Sequence, residues 1–302
     1  MGKTVSFPKT QLSADKIVIV TGGNSGIGYE TAKWVAMLGA TVIIACRSEE
    51  RADKAIKKMK SQFIKEKRKS SYLTENLSVE FMKLDLASLK SVMSFIEEFK
   101  ASGRSLHALV NYLSHFLIVA HFLPIMMRSG RDCRIVFVSS NTHRRAKLNL
   151  NKIQGIEYSA SDFPSTVYYG NSKLYQIMHM YSLNRRIKHS NVTVTSLHPG
   201  YSDTQFNRAF EDRRCASCLW CCFINGCGKS ATSGARTCIN AVVNPRLAGI
   251  RDAYFIERKQ KIPKDVSRNE IYQEQLWDYT KDLLKDYLPD DMMDYLDKKR
   301  TV

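Results

Sequence analysis

Apolar residues in this chain fall into short β-branched runs separated by longer stretches with helical spacing. Lys16–Thr21 reads KIVIVT, passes through a glycine-rich stretch into YETAKWVAMLGA, and is followed by TVIIA at Thr41–Ala45. This order predicts strand, turn, helix and strand, a βαβ unit. A charged helix from about Glu49 and a loop near Ser70–Ser71 come next. Ser78–Leu84 predicts a third strand and Leu89–Lys100 an amphipathic helix, with Leu89, Val92, Met93, Phe95 and Ile96 on its apolar side. Further strands are predicted over Ser105–Val110, Arg134–Val138 and Asn191–Leu197, with helices over 111–127 and 167–186 between them. Such alternation implies an α/β fold, a doubly wound parallel sheet with helices on both faces. No Pro/Gly/Ser-rich linker, repeat or low-complexity tract divides the chain. The expectation is one domain over 1–302, with its core over about 16–255 and a C-terminal helical extension over about 265–302.

Composition narrows the class. With 44% apolar and 25% charged residues among 302, the chain is neither disordered nor collagenous. No run reaches the ~18 apolar residues of a spanning helix, which excludes a multi-span membrane protein. Forty-six Lys and Arg against 29 Asp and Glu leave a net charge of +17, so an anionic partner is expected. The segment Arg51–Ser70 alone has nine cations against Asp53 and Glu66, a net +7. Nucleic acid is a poor fit, because these cations come without interleaved aromatic stacking positions. The start, MGKTVSFPKTQLSADK, has no apolar signal-peptide core, so the expectation is a cytoplasmic chain with eight reduced cysteines. Met1–Ser6 also fits the N-myristoylation pattern on Gly2.

Three stretches carry chemistry. Thr21-Gly22-Gly23-Asn24-Ser25-Gly26-Ile27-Gly28 lies between a predicted strand and helix. Glycines there permit a tight turn and let a phosphate approach the backbone at a helix N-terminus. The second strand ends in Ile44-Ala45-Cys46-Arg47, with no acidic residue to bind an adenosine ribose. A guanidinium suits a 2′-phosphate, which favours NADP(H) over NAD(H); a solvated or capping arginine is the alternative. Asp85, before Leu86, could accept from an adenine amino group or serve as a loop carboxylate. Finally, Tyr169 and Lys173 stand four apart on one helix face, with Ser140 at the end of the fifth strand. A neighbouring ammonium favours a phenolate, so Tyr169 is a candidate proton donor and acceptor, with Ser140 bonding the reacting oxygen. Tyr168 is rejected because its partner four residues on is Ser172.

These motifs in this order resemble the short-chain dehydrogenase/reductase family, most of all its retinol-dehydrogenase-like and X-linked dehydrogenase/reductase groups. The resemblance spans about Lys16 to Tyr254 and rests on TGGNSGIGYETAKWVAMLGATVIIACR, LDLASLKSV, NYLSHFL, RIVFVSS, YGNSK and LHPG. It implies a Rossmann-like fold and hydride transfer between NAD(P) and an alcohol or carbonyl. Residue by residue, it implies that Gly22, Asn24, Ser25, Gly26, Ile27 and Gly28 line the cofactor phosphates and Arg47 the 2′-phosphate. Asp85 and Leu86 would flank the adenine. Tyr169 would be the acid/base, Lys173 would also hold the nicotinamide ribose, Ser140 would orient the substrate oxygen, and Asn111 would join the proton relay. Pro199, Gly200 and Thr204 match the stretch that closes over the nicotinamide.

One departure stands against these agreements. The family's fourth strand ends in Asn-Asn-Ala-Gly, followed by a loop and a short helix; here Leu109-Val110 runs straight into Asn111-Tyr112-Leu113-Ser114. A strand-to-helix loop normally takes ~2–6 residues, so fraying at the strand end or the first helical turn is expected to make the connection. The missing wall of the cofactor groove should weaken dinucleotide binding. Downstream, Cys215, Cys218, Cys221, Cys222 and Cys227 surround Leu, Trp, Phe and Ile. An apolar substrate-covering loop or lipid-facing patch fits this better than zinc, and no metal is expected. Acylated cysteines together with Gly2 would supply two membrane signals. Asp252 stands where the family has a glycine before its last strand, Ala253–Phe255. The reading is an NADP-dependent oxidoreductase for a hydrophobic alcohol, aldehyde or ketone of retinoid, sterol or isoprenoid type. Peripheral membrane contact and a homo-oligomer are compatible with it. The alternative is a catalytically impaired protein of the same fold, kept for binding.

Overall fold

The computed structural model describes residues 10–110, 114–159, 161–200 and 230–298. Among these residues, eight strands form one sheet in the order β3-β2-β1-β4-β5-β6-β7-β8. They are β1 (Ile17–Thr21), β2 (Thr41–Cys46), β3 (Val79–Lys83), β4 (Ala108–Val110), β5 (Cys133–Val138), β6 (Val192–His198), β7 (Tyr254–Ile256) and β8 (Lys259–Lys261). All neighbours pair in parallel except β7 with β8. The order reverses between β1 and β4, and open α/β sheets bind ligands at that point, outside the strands' C-terminal ends.

Both faces of the central strands are dry, which explains their β-branched composition. Ile17, Ile19, Ile43, Leu109 and Ile135 point into one core layer. That layer is closed by α3 (Leu89–Ala101), α4 (Ser114–Arg128) and α5 (Ser165–Arg186). The alternate residues Val18, Val20, Val42, Ile44 and Val136 point into the other. It is closed by α1 (Gly26–Met37), α2 (Glu49–Lys67) and α6 (Ala231–Val243). The period of two in a strand assigns each side chain to its layer.

The C-terminal helical extension expected over about 265–302 resolves into α7 (Glu270–Leu284), a 3-10 turn at Lys285–Tyr287, and α8 (Asp290–Lys298). Pro289 separates the last two, as the missing amide of proline requires. Helix α7 docks on α5 through Glu274, which bonds Arg185, Arg186 and Ser182. The β7–β8 hairpin was not expected. Its turn places Glu257 at φ 52° and Arg258 at φ 66°, and its second strand is the exposed tripeptide Lys-Gln-Lys, so neither turn glycine nor apolar alternation announces it. Asp252 does take the left-handed conformation of a glycine, with φ 55°, and its carboxylate accepts a 2.9 Å bond from Asn184 Nδ2. Among the described residues no helix is long and apolar enough to cross a membrane.

Strand β4 has three residues rather than the six expected, and α4 begins at Ser114. Residues 111–113, including Asn111, lie outside the described residues, as do Gly2, Thr204 and the cysteine cluster from Cys215 to Cys227.

Candidate active site

The glycine stretch forms a tight turn from the end of β1 into α1. Gly22 adopts φ 66°, which a side chain would resist, and its amide bonds the Ala45 carbonyl of β2 at 2.8 Å. A Cβ on Gly28 would lie 2.4 Å from the Gly22 carbonyl oxygen, so the turn closes only with glycine there. Ser25 makes no side-chain cap at the α1 N-terminus, and the first turn has no acidic residue. Its amides and positive dipole end are therefore left for an external anion. Asn24, Gly26 and Ile27 complete the stretch, with Gly26 at φ 53°.

Arg47 is exposed directly after β2, one residue from the Cys46 that ends the strand. It has no hydrogen bond or ion pair with any described residue. Asp85 follows β3 and spends one oxygen on the Ala87 amide at 3.0 Å, the loop-carboxylate role foreseen as its alternative. Leu86 beside it is half-buried. Pro199 and Gly200 follow β6 at the same edge of the sheet, with Gly200 at φ 94°. The residues present thus fit a dinucleotide: an uncapped helix end, a cradle that tolerates no Cβ, and an unengaged cation on the adjoining strand.

Across the switch point, β5 and α5 bring Ser140, Tyr169 and Lys173 together. A side-chain hydrogen bond joins Tyr169 to Ser140. The Lys173 ammonium lies 5.5 Å from the centroid of the Tyr169 ring and bonds the Val138 carbonyl at 2.9 Å. Burial raises the Tyr169 phenol above its ordinary value, opposed by the Ser140 bond. The sequence suggested that Lys173 would favour the phenolate. Instead the ammonium sits over the ring and burial dominates. Burial also lowers Lys173 to about 8. A protonated phenol bonded to a hydroxyl, beside a desolvated ammonium, can exchange a proton with an oxygen placed between them.

Three neighbours were not singled out from the sequence. Ser139 Oγ donates to the Lys173 carbonyl at 2.7 Å and ties the strand end to the helix. The Val138 carbonyl that receives Lys173 is backbone, which carries no signal in a sequence. His115, on the first turn of α4, is 1% exposed with neither ring nitrogen hydrogen-bonded. Burial, with the Lys173 charge, holds it well below the usual histidine range.

The short chain dehydrogenase family model matches residues 16–214. The chain belongs to the short-chain dehydrogenase family. It is an NAD(P)-dependent oxidoreductase by that membership. Human polyprenol dehydrogenase is 33% identical over 294 residues, covering 87% of this chain and 83% of that protein. Mouse retinol dehydrogenase 11 is 30% identical over 292 residues, covering 89% and 86%. Among solved structures, the Pseudomonas aeruginosa RhlG/NADP active-site complex superposes with a TM-score of 0.60 at 16% identity, covering 83% of this chain and 97% of that one. At that identity the likeness concerns the fold.

Proposed function

We propose that this chain is an NADP-dependent oxidoreductase acting on a hydrophobic alcohol or its carbonyl counterpart. The observation that carries the reading is the grouping of Tyr169, Ser140 and Lys173 at the sheet edge that also holds the uncapped glycine turn. The amides at the start of α1 bind the cofactor pyrophosphate and Arg47 its 2′-phosphate. When bound, the nicotinamide supplies the hydride donor or acceptor. Ser140 holds the substrate oxygen. The Tyr169 hydroxyl gives that oxygen a proton in reduction and takes one in oxidation. Lys173, positively charged below about pH 8, is fixed beside the Tyr169 ring by its bond to the Val138 carbonyl, where its charge can hold the nicotinamide ribose. The substrate class rests on the polyprenol and retinol dehydrogenases to which the chain is similar.

The second reading is a poorly active member kept for binding. It is favoured by the junction between β4 and α4, where three residues replace the family's longer wall. Thermal stabilisation by NADPH against NADH separates the two. Selective stabilisation by NADPH, lost in Arg47→Ala, supports the enzyme, and Tyr169→Phe should then abolish retinal reduction while keeping the NADPH shift. No shift with either nucleotide supports the second reading.

A further inference from the structure

Helix α5 carries a second set of chemical groups on a different face from Tyr169 and Lys173. Successive residues turn by about 100° around a helix, so Tyr175 and His179 look away from the catalytic edge. They face a cavity of about 330 Å³ between α5 and α7, floored by Phe116 of α4 and Leu89 of α3. Ile153, Leu276, Trp277, Leu283 and Leu284 supply the rest of its apolar wall. The volume equals about eleven waters in the liquid, room for roughly ten to fifteen non-hydrogen atoms at protein packing density.

The polar groups in this wall divide sharply. Ser182 is engaged by Glu274, Gln273 by Arg185 and the Ser267 carbonyl, Thr280 by the Leu276 carbonyl, and Tyr279 by Gln154. Tyr175 and His179 are not: neither makes a hydrogen bond with any described residue, and the buried Trp277 Nε1 also has none. His179 is clasped between the Phe116 and Phe137 rings, with centroids 4.8 and 5.2 Å away, which fixes the imidazole plane and leaves its edge for a ligand. Among the described residues, none lining the cavity is acidic or cationic. Burial, with the Arg186 charge, drives His179 down to about 3, and burial lifts Tyr175 to about 12, so both are neutral. The nearby arginines are committed to Glu274. An ionised head group would have no counter-charge here, and its desolvation would go uncompensated. A hydroxyl or carbonyl would give Tyr175 and His179 the partner that they lack.

We propose that this cavity is a second ligand site, taking an uncharged amphiphile with an apolar body and one hydroxyl or carbonyl, anchored by His179 and Tyr175. The site is independent of the cofactor and of the reaction proposed above. Trp277 in its wall provides the readout. Titration of the full chain with 10-bromodecan-1-ol should quench tryptophan fluorescence saturably, and Trp277→Phe should remove the saturable component. Thr280→Phe, which fills the cavity from α7, should abolish it. His179→Phe keeps the ring stack but removes the anchor and should weaken binding about tenfold, the loss of one hydrogen bond. Decan-1-ol should compete and decanoate should not. Tyr169→Phe, which disables the catalytic site, should leave all of this unchanged. Absence of saturable quenching in folded protein, an unaffected Thr280→Phe variant, or equal competition by decanoate would each overturn the assignment.

Discussion

Replacing Glu274 with glutamine should destabilise the protein far more than an average substitution, through the contact between α5 and α7. The Arg186 side chain is 1% exposed and the Glu274 side chain 10%. One carboxylate receives Arg186 at 2.5 Å, Arg185 at 2.5 Å and Ser182 at 2.9 Å, while the Arg186 guanidinium lies 4.0 Å from the Trp277 ring centroid. Burial alone would raise the carboxyl. The hydrogen bonds from Arg186 and Arg185, aided by the Arg186 charge and Ser182, outweigh it and hold the group at about 2 against an ordinary 4.5. That difference corresponds to about 3 kcal/mol. Glutamine preserves the shape but removes the shared carboxylate, leaving Arg186 without a counter-charge in a dry interior while Arg185 keeps Glu270. The expected loss is therefore about 3–5 kcal/mol, the usual effect of breaking a buried pair from one side.

The pH dependence supplies an internal control. The folded carboxyl titrates below its unfolded value, so its contribution is complete above about pH 4.5 and fades as pH falls through about 2. Urea unfolding of wild type and Glu274→Gln should show the full gap at pH 7 and a gap that narrows from pH 4.5 downward. The double variant Glu274→Leu with Arg186→Met removes both buried charges and should recover much of the loss, because Arg185 can turn to Glu270, already 3.5 Å away. A gap below about 1 kcal/mol at pH 7, the value of an exposed pair, would refute the reasoning. So would a gap that does not change with pH.

Lys173→Met should abolish turnover yet raise stability at pH 7. Burial lowers the folded ammonium to about 8 from 10.5, so the cost of burying it is complete below about pH 8 and gone above 10.5. Thermal melts across that range should show the variant's advantage shrinking as pH rises. Gly28→Ala should cost about 1–3 kcal/mol and remove nucleotide binding, since its Cβ would meet the Gly22 carbonyl at 2.4 Å. Nucleotide titration of the folded variant checks it; unchanged affinity would mean that the turn has another conformation available.

The sheet was legible because its strands are buried on both faces and read as apolar runs, and KIVIVT and TVIIA became β1 and β2 nearly to the residue. Tyr169 and Lys173 were legible because a spacing of four on a helix puts two side chains on one face. What stayed hidden depends on partners distant in sequence. Glu274 lies in a helical extension that carried no motif, and only the fold sets it against Arg186, 88 positions earlier. The charge state of Tyr169 also escaped, since the sequence places an ammonium nearby without saying that it lies over the ring and that burial governs both groups. His179 carried no motif at all. Its significance comes from two phenylalanines on different elements and from its making no hydrogen bond with any described residue.

Helix α5 therefore has two dependencies that can be varied separately. Its Tyr169 and Lys173 face is tied to β5 through Ser139, Ser140 and the Val138 carbonyl, all of which come from one strand end. Its other face is held by α7, through Glu274 and the aromatic stack around His179. The shortened connection before α4 bears on both, because α4 begins there with His115 buried toward Lys173 and Phe116 stacked on His179. The site's geometry toward β5 does not pass through that connection, and the cofactor cradle at Gly22–Gly28 belongs to β1 and α1. The shortening should therefore act more on the wall beside the nicotinamide than on the proton-transfer groups. On the proposed reading, the chain should hold NADPH more weakly than its relatives do while keeping a Tyr169-dependent pH profile for whatever turnover remains.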